Sequence, residues 1–395
     1  MSRSVVPSPE ELLARARALG PVLLERAPKA AELRRVPDET IADFREAGFF
    51  RMLQPARHGG FELDPQAFFD VQIAIAAFCP SSAWVLGVLA VHGWQLALFP
   101  EQAQDDVWKA DSSVLVSSSY APTGKIEAAP GGFRVSGRWS FSSGCDHCQW
   151  VFLGGFAPVA PDAKAPDMRT YLLPRGDYRI EDNWHVIGLQ GTGSKDIVVD
   201  GAFVPEHHTH RLIDGFRRKS PGNEINRAPL YRLPFGQIFV RSVSSSAIGI
   251  ADGALEVFRD VASKRIAAGD GAKVAVEPTT QAVCAEAETA IDEVKLVLRR
   301  NLDEMMTLVK SDQDIPVERR VKFRYESALA VDKCVRAVDA LFTASGGRAI
   351  FADSRMARYF LDVHAARAHY ANGPDKPARN FGSVQLGLKN GDFFI

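Results

Sequence analysis

The chain has 395 residues, with 47 basic and 48 acidic side chains and a formal net charge of -1, so its charge balance gives no case for binding nucleic acid or an anionic membrane surface. Hydrophobic residues make up 46% and charged residues 24%, which suits an ordinary globular core, and the length suits two or three domains. Five scattered cysteines exclude a disulfide framework, and with no 18-residue apolar run and no signal-peptide core in residues 1–9, the chain is expected in the cytoplasm without a membrane span.

Residues 1–112 read as an N-terminal helical domain. Ser8 is a suitable N-cap for a helix opening at Pro9-Glu10-Glu11, and a second helix runs from Asp38 to Ala47 and stops at Gly48. The stretches 65–78 and 81–99 are apolar all round, as buried helices are, and Pro80 and Pro100 punctuate them. His92 lies on the second of these stretches. Trp84 precedes it by eight residues, about two helical turns, on roughly the same side.

Residues 113–215 change character. Alternating and β-branched runs at 114–120, 132–142, 150–156, 169–173 and 196–204, separated by turn signals, predict an antiparallel β-domain. Strand alternation sends Ser118 to the face opposite Ser117 and Ser119. The segment from Ser136 to Trp150 is the most informative, because a strand ends in Ser142 and Ser143 and is followed at once by Gly144. A glycine there lets the main chain approach a flat ligand closely. With the serines at 117–119 and the Gly-rich turn 188–194, three small-residue stretches point to a large planar cofactor with hydrogen-bonding edges. Cys145 and Cys148 form a C-x-x-C around His147, but no second ligand pair stands at zinc-site spacing. The run His207-His-Thr-His210 follows Val204-Pro205 and reads as an exposed loop. No metal site is expected.

Residues 216–395 read as helical again, with long patterns at 242–264, 279–310 and 317–344 suited to a four-helix bundle, and loops at 269–278 and 373–377. Arg265 follows the first long helix and precedes a Gly-rich loop. His364 and His369 are five apart, about 140° around an ideal helix, which argues against a shared metal.

Six stretches carry a family resemblance across essentially the whole chain: 91–99 (VHGWQLALF), 117–122 (SSSYAP), 142–147 (SSGCDH), 188–194 (GLQGTGS), 341–346 (LFTASG) and 362–369 (DVHAARAH). With the order helical domain, β-domain, helical bundle, they resemble the acyl-CoA dehydrogenase fold, an α+β class. The dehydrogenases' C-terminal catalytic glutamate has no counterpart in 369–378. The chain is more similar to the two-component (group D) flavin-dependent monooxygenases built on this fold. That resemblance implies reduced FMN or FAD supplied by a separate NAD(P)H-dependent reductase through diffusion. It also implies dioxygen as cosubstrate, a C4a-hydroperoxyflavin, a small phenolic aromatic substrate and a homotetramer.

The resemblance further implies roles for individual residues. Ser143 would sit at flavin N5 with Gly144 beside it, and Trp84 would flank the ring. His92 would act as base toward the phenol, a role an imidazole of ordinary pKa near 6.5 can fill near neutrality. Ser118 and Arg367 would stand beside the substrate, and His369 near the flavin C4a edge. Arg265 would meet the flavin phosphate, with Ser345 and Gly346 contributed by a neighbouring subunit. Gln190 stands where the dehydrogenases often carry arginine. The alternatives are an acyl-CoA dehydrogenase with a displaced base, an oxygenase acting on an indole, sulfur or nitrogen centre, and a non-enzymatic flavin binder.

Overall fold

A computed structural model describes residues 6–159, 166–266, 271 and 273–395. The N-terminal helices are α1 (Pro9–Leu33), α2 (Asp38–Glu46), α3 (Pro65–Ala76), α4 (Pro80–Leu96) and α5 (Glu101–Trp108). Ser8 caps α1 as expected: its hydroxyl accepts from the Glu11 N–H while the Glu11 carboxylate accepts from the Ser8 N–H. Pro80 stands at the first position of α4, where no N–H is needed. All of α4 except Gly93 is buried, so its composition is apolar on every side.

The strands are β1 (Val116–Ser119), β2 (Lys125–Ala129), β3 (Gly132–Ser142), β4 (Trp150–Ala157), β5 (Asp167–Pro174), β6 (Arg179–Glu181), β7 (Lys195–Pro205) and β8 (Thr209–Arg211). They form two sheets, ordered β1-β4-β5-β8 and β2-β3-β7-β6. The five predicted strands are present, but β2, β6 and β8 escape sequence reading because they are short or half exposed. The expectation of a wholly antiparallel domain is corrected: β1 pairs in parallel with β4, Ser118 opposite Phe152. That pairing sets the exposed-face serine of β1 against α4. Ser117 and Ser119 are buried and Ser118 is half-buried, so the predicted alternation holds.

After α6 (Leu212–Arg217) the chain builds its bundle from α7 (Phe235–Lys264), α8 (Pro278–Lys310), α9 (Val317–Ser345) and α10 (Arg355–Ala368), with α11 (Asp375–Gln385) against α9. The helix α7 starts earlier than the pattern at 242 suggests, directly after Pro234. It is also long and apolar enough to cross a membrane, contrary to the sequence reading; 94% of its most apolar window is buried among the other helices, as a bundle's central helix must be. The predicted loop 269–278 lies partly outside the described residues, and Val274–Val276 forms a 3-10 turn there. The predicted loop 373–377 is shorter than expected because α11 begins at Asp375; Pro377 falls in its first turn, where proline costs no hydrogen bond.

Candidate functional site

The site forms where α4 crosses the end of the β-domain and the start of α7. His92 is buried on α4, and its Nδ1 lies 2.7 Å from the Val116 carbonyl oxygen. A carbonyl only accepts, so Nδ1 carries the proton and Nε2 offers a lone pair. The Ser118 hydroxyl is 2.8 Å from that Nε2 and donates to it. Burial pulls the His92 pKa down to about 4, only partly countered by the Val116 contact. This corrects the sequence expectation of titration near neutrality: His92 is a neutral acceptor over the physiological range.

At the other end of α4, Trp84 donates its indole N–H to the Ser143 hydroxyl at 3.1 Å. Ser143 contacts Ser194 Oγ at 2.7 Å, Ser194 contacts Thr192 Oγ1 at 2.8 Å, and Thr192 donates to the Leu189 carbonyl at 2.9 Å. Gly144 adopts φ +69°, and a Cβ there would stand 2.8 Å from a Val85 methyl. Only glycine fits this approach of the strand end to α4.

His369 lies just past the end of α10 rather than within it, so helical angles do not govern its direction. Its Nδ1 accepts from the Ala371 N–H at 3.1 Å, which leaves the ring proton on Nε2 in the neutral form. Burial, with the Arg324 charge adding to it, lowers its pKa to about 4. The Trp84 and His369 rings meet edge-on at 5.5 Å. From His369 a chain of rings continues through Phe239 (6.1 Å) and Tyr120 (5.2 Å further) to His92 (6.2 Å further). Trp84, His92, Ser118, Ser143 and His369 are therefore joined by one run of aromatic and hydrogen-bond contacts. Tyr120, whose hydroxyl bonds Gln95, and Phe235, Phe239 and Phe394 complete it.

The remaining expected residues fall elsewhere. Arg265 donates to the Ser345 carbonyl at 2.7 Å, and a Cβ on Gly346 (φ +69°) would come within 2.8 Å of its guanidinium. The three form one cluster within a single chain, so whichever subunit's flavin phosphate they meet, they meet it together. The Ser345 hydroxyl is turned back onto Leu341. Arg367 is not gathered with the aromatic cluster; it is held by Asp332 at 3.5 Å. Gln190 donates to the Val186 carbonyl on the exposed side of its turn.

His207 to His210 is not the exposed loop expected. His208 and His210 are buried, and His207 and His208 both reach the Asp106 carboxylate, at 3.0 and 2.9 Å. Cys145 and Cys148 are buried free thiols whose Sγ atoms contact the carbonyls of Gly193 and Gly144. A cavity of about 560 Å³ opens beside α1, α3, α7 and α8, near Phe78, Arg241 and Lys295. None of the expected site residues lines it.

Ser194, Thr192 and Tyr120 are the functional neighbours that residue-by-residue reading missed. Ser194 and Thr192 lie in the Gly-rich turn singled out and Tyr120 ends the predicted strand 114–120, but only contact geometry separates them from their neighbours.

Residues 242–374 match the family "Acyl-CoA dehydrogenase, C-terminal domain". The chain is 39% identical to the flavin-dependent monooxygenase oxygenase subunit HsaA of Rhodococcus jostii, across 96% of this chain and 99% of that one. It is 33% identical to the FADH(2)-dependent resorcinol hydroxylase oxygenase component of a Rhizobium species, across 96% and 94%. The crystal structure of 3-HSA hydroxylase from Rhodococcus sp. RHA1 superposes with a TM-score of 0.93 at 39% identity, covering 98% of this chain and 99% of that one. With that likeness extending over nearly the whole length, the chain belongs to the flavin-dependent monooxygenases of the acyl-CoA dehydrogenase fold, as an oxygenase component.

Proposed function

We propose that this oxygenase component hydroxylates a phenolic compound, drawing reduced flavin from a separate reductase and using dioxygen as cosubstrate. The observation that carries the phenol is the His92–Ser118 pair. Val116 fixes the imidazole proton on Nδ1, so Nε2 faces Ser118 as an acceptor, and the Ser118 oxygen keeps a lone pair for an incoming hydroxyl. A phenol donating to Ser118, or directly to Nε2, is oriented and made more electron-rich at its ring carbons. The aromatic walls supply stacking and edge contacts for such a ring.

The residues present fit a flavin. Gly144 lets the strand end pack closely on α4, which sets the Ser143 hydroxyl beside Trp84 at the end of β3, and the Arg265–Ser345–Gly346 cluster offers a planar fork of donors suited to a phosphate. Bound reduced flavin supplies the activation of dioxygen. The chain's residues hold its ring, keep water out and direct the substrate. The naming of the resorcinol relative favours FADH2 over FMNH2. The same reading includes a homotetramer, diffusive transfer of flavin, a cytoplasmic location and no role for membrane or nucleic acid; the near-zero net charge supports the last.

The test is to mix protein and reduced flavin with oxygen in a stopped-flow device, using a panel of phenols, indoles and thioethers. Hydroxylated product from phenols, with flavin reoxidation coupled to it, is the expected outcome. Product only from indole or sulfur compounds would overturn the phenol assignment.

A further inference from the structure

We infer that the hydroxyl chain behind Ser143 sets the redox state of the flavin this protein prefers, with Ser194 and Thr192 as the positioning residues. The inference rests on the reading that Ser143 meets flavin N5.

The chain of contacts has only one self-consistent proton order. Its far end is the Leu189 carbonyl, which can only accept, so the Thr192 proton must lie on the 2.9 Å contact to it. The 2.8 Å contact between Thr192 and Ser194 then requires the Ser194 proton. The 2.7 Å contact between Ser194 and Ser143 in turn requires the Ser143 proton. At the near end stands the Trp84 indole, which can only donate, and it fills one lone pair of Ser143. The order runs one way, from Trp84 through Ser143, Ser194 and Thr192 to Leu189. A single hydrogen on each hydroxyl allows no other arrangement that keeps all four contacts.

Both serines and Thr192 are buried, so bulk water does not easily substitute for a missing partner, and an unmade contact is costly. The turn is held in shape from several sides. Leu189 and Gly193 take φ of +51° and +53°. The Leu189 N–H is bonded to Asp362 at 2.6 Å, the Gly191 N–H to Ser81 at 3.1 Å, and the Gly144 N–H to the Thr192 carbonyl at 2.9 Å.

Ser143 is thus left with its proton committed and one lone pair free. It meets a ligand as an acceptor. Reduced flavin carries a hydrogen on N5 and donates there; oxidised flavin has a bare lone pair at N5 and can only accept. The hydroxyl chain therefore complements the reduced form and sets lone pair against lone pair for the oxidised form. The selectivity lies in the direction of the protons, not in the presence of a serine.

The test measures dissociation constants of oxidised flavin in air and reduced flavin under anaerobic conditions, together with the midpoint potential of the bound flavin. The proteins compared are wild type, Ser194→Ala, Thr192→Val and Ser143→Ala. In Ser194→Ala the Ser143 proton loses its acceptor and turns to the ligand. In Thr192→Val the Ser194 proton is released toward Ser143, and the chain reverses. Both variants should bind oxidised flavin about tenfold more tightly relative to reduced flavin, the equivalent of one net hydrogen bond. The bound potential should fall by about 30 mV for each tenfold change. Thr192→Val is close to isosteric and serves should Ser194→Ala fold poorly.

An unchanged ratio in both folded variants, with a changed ratio in Ser143→Ala, would overturn the polarity argument and leave Ser143 at N5. An unchanged ratio in Ser143→Ala as well would overturn the placement of Ser143 at N5, and the inference with it.

Discussion

The Ser118 hydroxyl lies 2.8 Å from His92 Nε2, and the opposite ring nitrogen of the same histidine is fixed 2.7 Å from the Val116 carbonyl. The pair is directional: proton on Nδ1, lone pair on Nε2, hydroxyl between histidine and substrate. It joins a residue of α4 to one of β1.

His92→Ala should slow hydroxylation of a phenol by about 100-fold near neutrality, while flavin binding stays close to wild type. The defect should shrink as pH rises toward the phenol's own pKa of about 10, where solvent ionises the substrate. Because burial holds His92 near pKa 4, the wild-type profile should show no inflection near 6.5. The check is the single-turnover hydroxylation rate of both proteins from pH 6 to 10. A constant ratio between them would limit His92 to packing.

Ser118→Ala leaves the buried Nε2 without its partner. Substrate affinity should fall by roughly tenfold, about the net worth of one hydrogen bond. Because the two side chains act as one unit, the double variant with His92→Ala should be little worse than His92→Ala alone. Full additivity in a double-mutant cycle would mean the two residues act separately.

Ser143→Ala removes a preorganised group from the flavin side of the site. The fraction of reducing equivalents lost as H2O2 should rise, with up to about a 100-fold effect on the step it supports. Peroxide and product are counted per flavin oxidised. Unchanged coupling would place Ser143 outside the mechanism.

Arg265 reaches the Ser345 carbonyl beside the positive-φ Gly346. Arg265→Ala should weaken flavin binding by 10-fold or more, since charge-assisted bonds to phosphate are roughly twice as strong as neutral ones. Hydroxylation at saturating flavin should be nearly unchanged. Arg265→Lys should recover part of the affinity, because a point charge replaces a fork. Riboflavin, which lacks phosphate, should bind wild type and Arg265→Ala alike; a large difference would place Arg265 at another part of the cofactor.

Asp362 is buried against the N–H of Leu189, and burial raises its pKa to about 6 although that bond and Arg358 oppose the shift. The unfolded chain ionises this group near 4. Between these values the folded state binds the extra proton, so the group's stabilising contribution is complete below about pH 4 and is lost as pH rises through 6. The loss is roughly 3 kcal/mol. Asp362→Asn keeps the acceptor for Leu189 and should be more stable than wild type at pH 8, by urea unfolding, with little difference at pH 4. An equal pH dependence in both proteins would remove Asp362 as its source.

The order helical domain, β-domain, helical bundle was legible in the sequence because each part obeys a local rule. Period-two alternation marks β3 and β7, apolar composition on all sides marks the buried α4, and Pro80 and Pro100 punctuate the helices there. The serine–glycine strand end at 142–144 and the turn at 188–194 could also be singled out, since small residues at a strand end or tight turn serve close backbone approach. Helix α10 and the short strands β6 and β8 were missed for want of that kind of signal; a three-residue strand has no period to read.

Residue identity and local pattern thus determined the elements and most of the candidate side chains of this protein. Tertiary structure alone decided their partners and protonation. It paired β1 in parallel with β4, gave His92 a carbonyl on one side and a serine on the other, turned Arg367 to Asp332, and closed the path from Trp84 to Leu189. The physical reason is that hydrogen-bond direction and pKa depend on which donors, acceptors and apolar walls surround a group in space. Val116 and Ser118 reach His92, and Ser143 reaches Trp84 and Ser194, only once α4 and the strands are packed together.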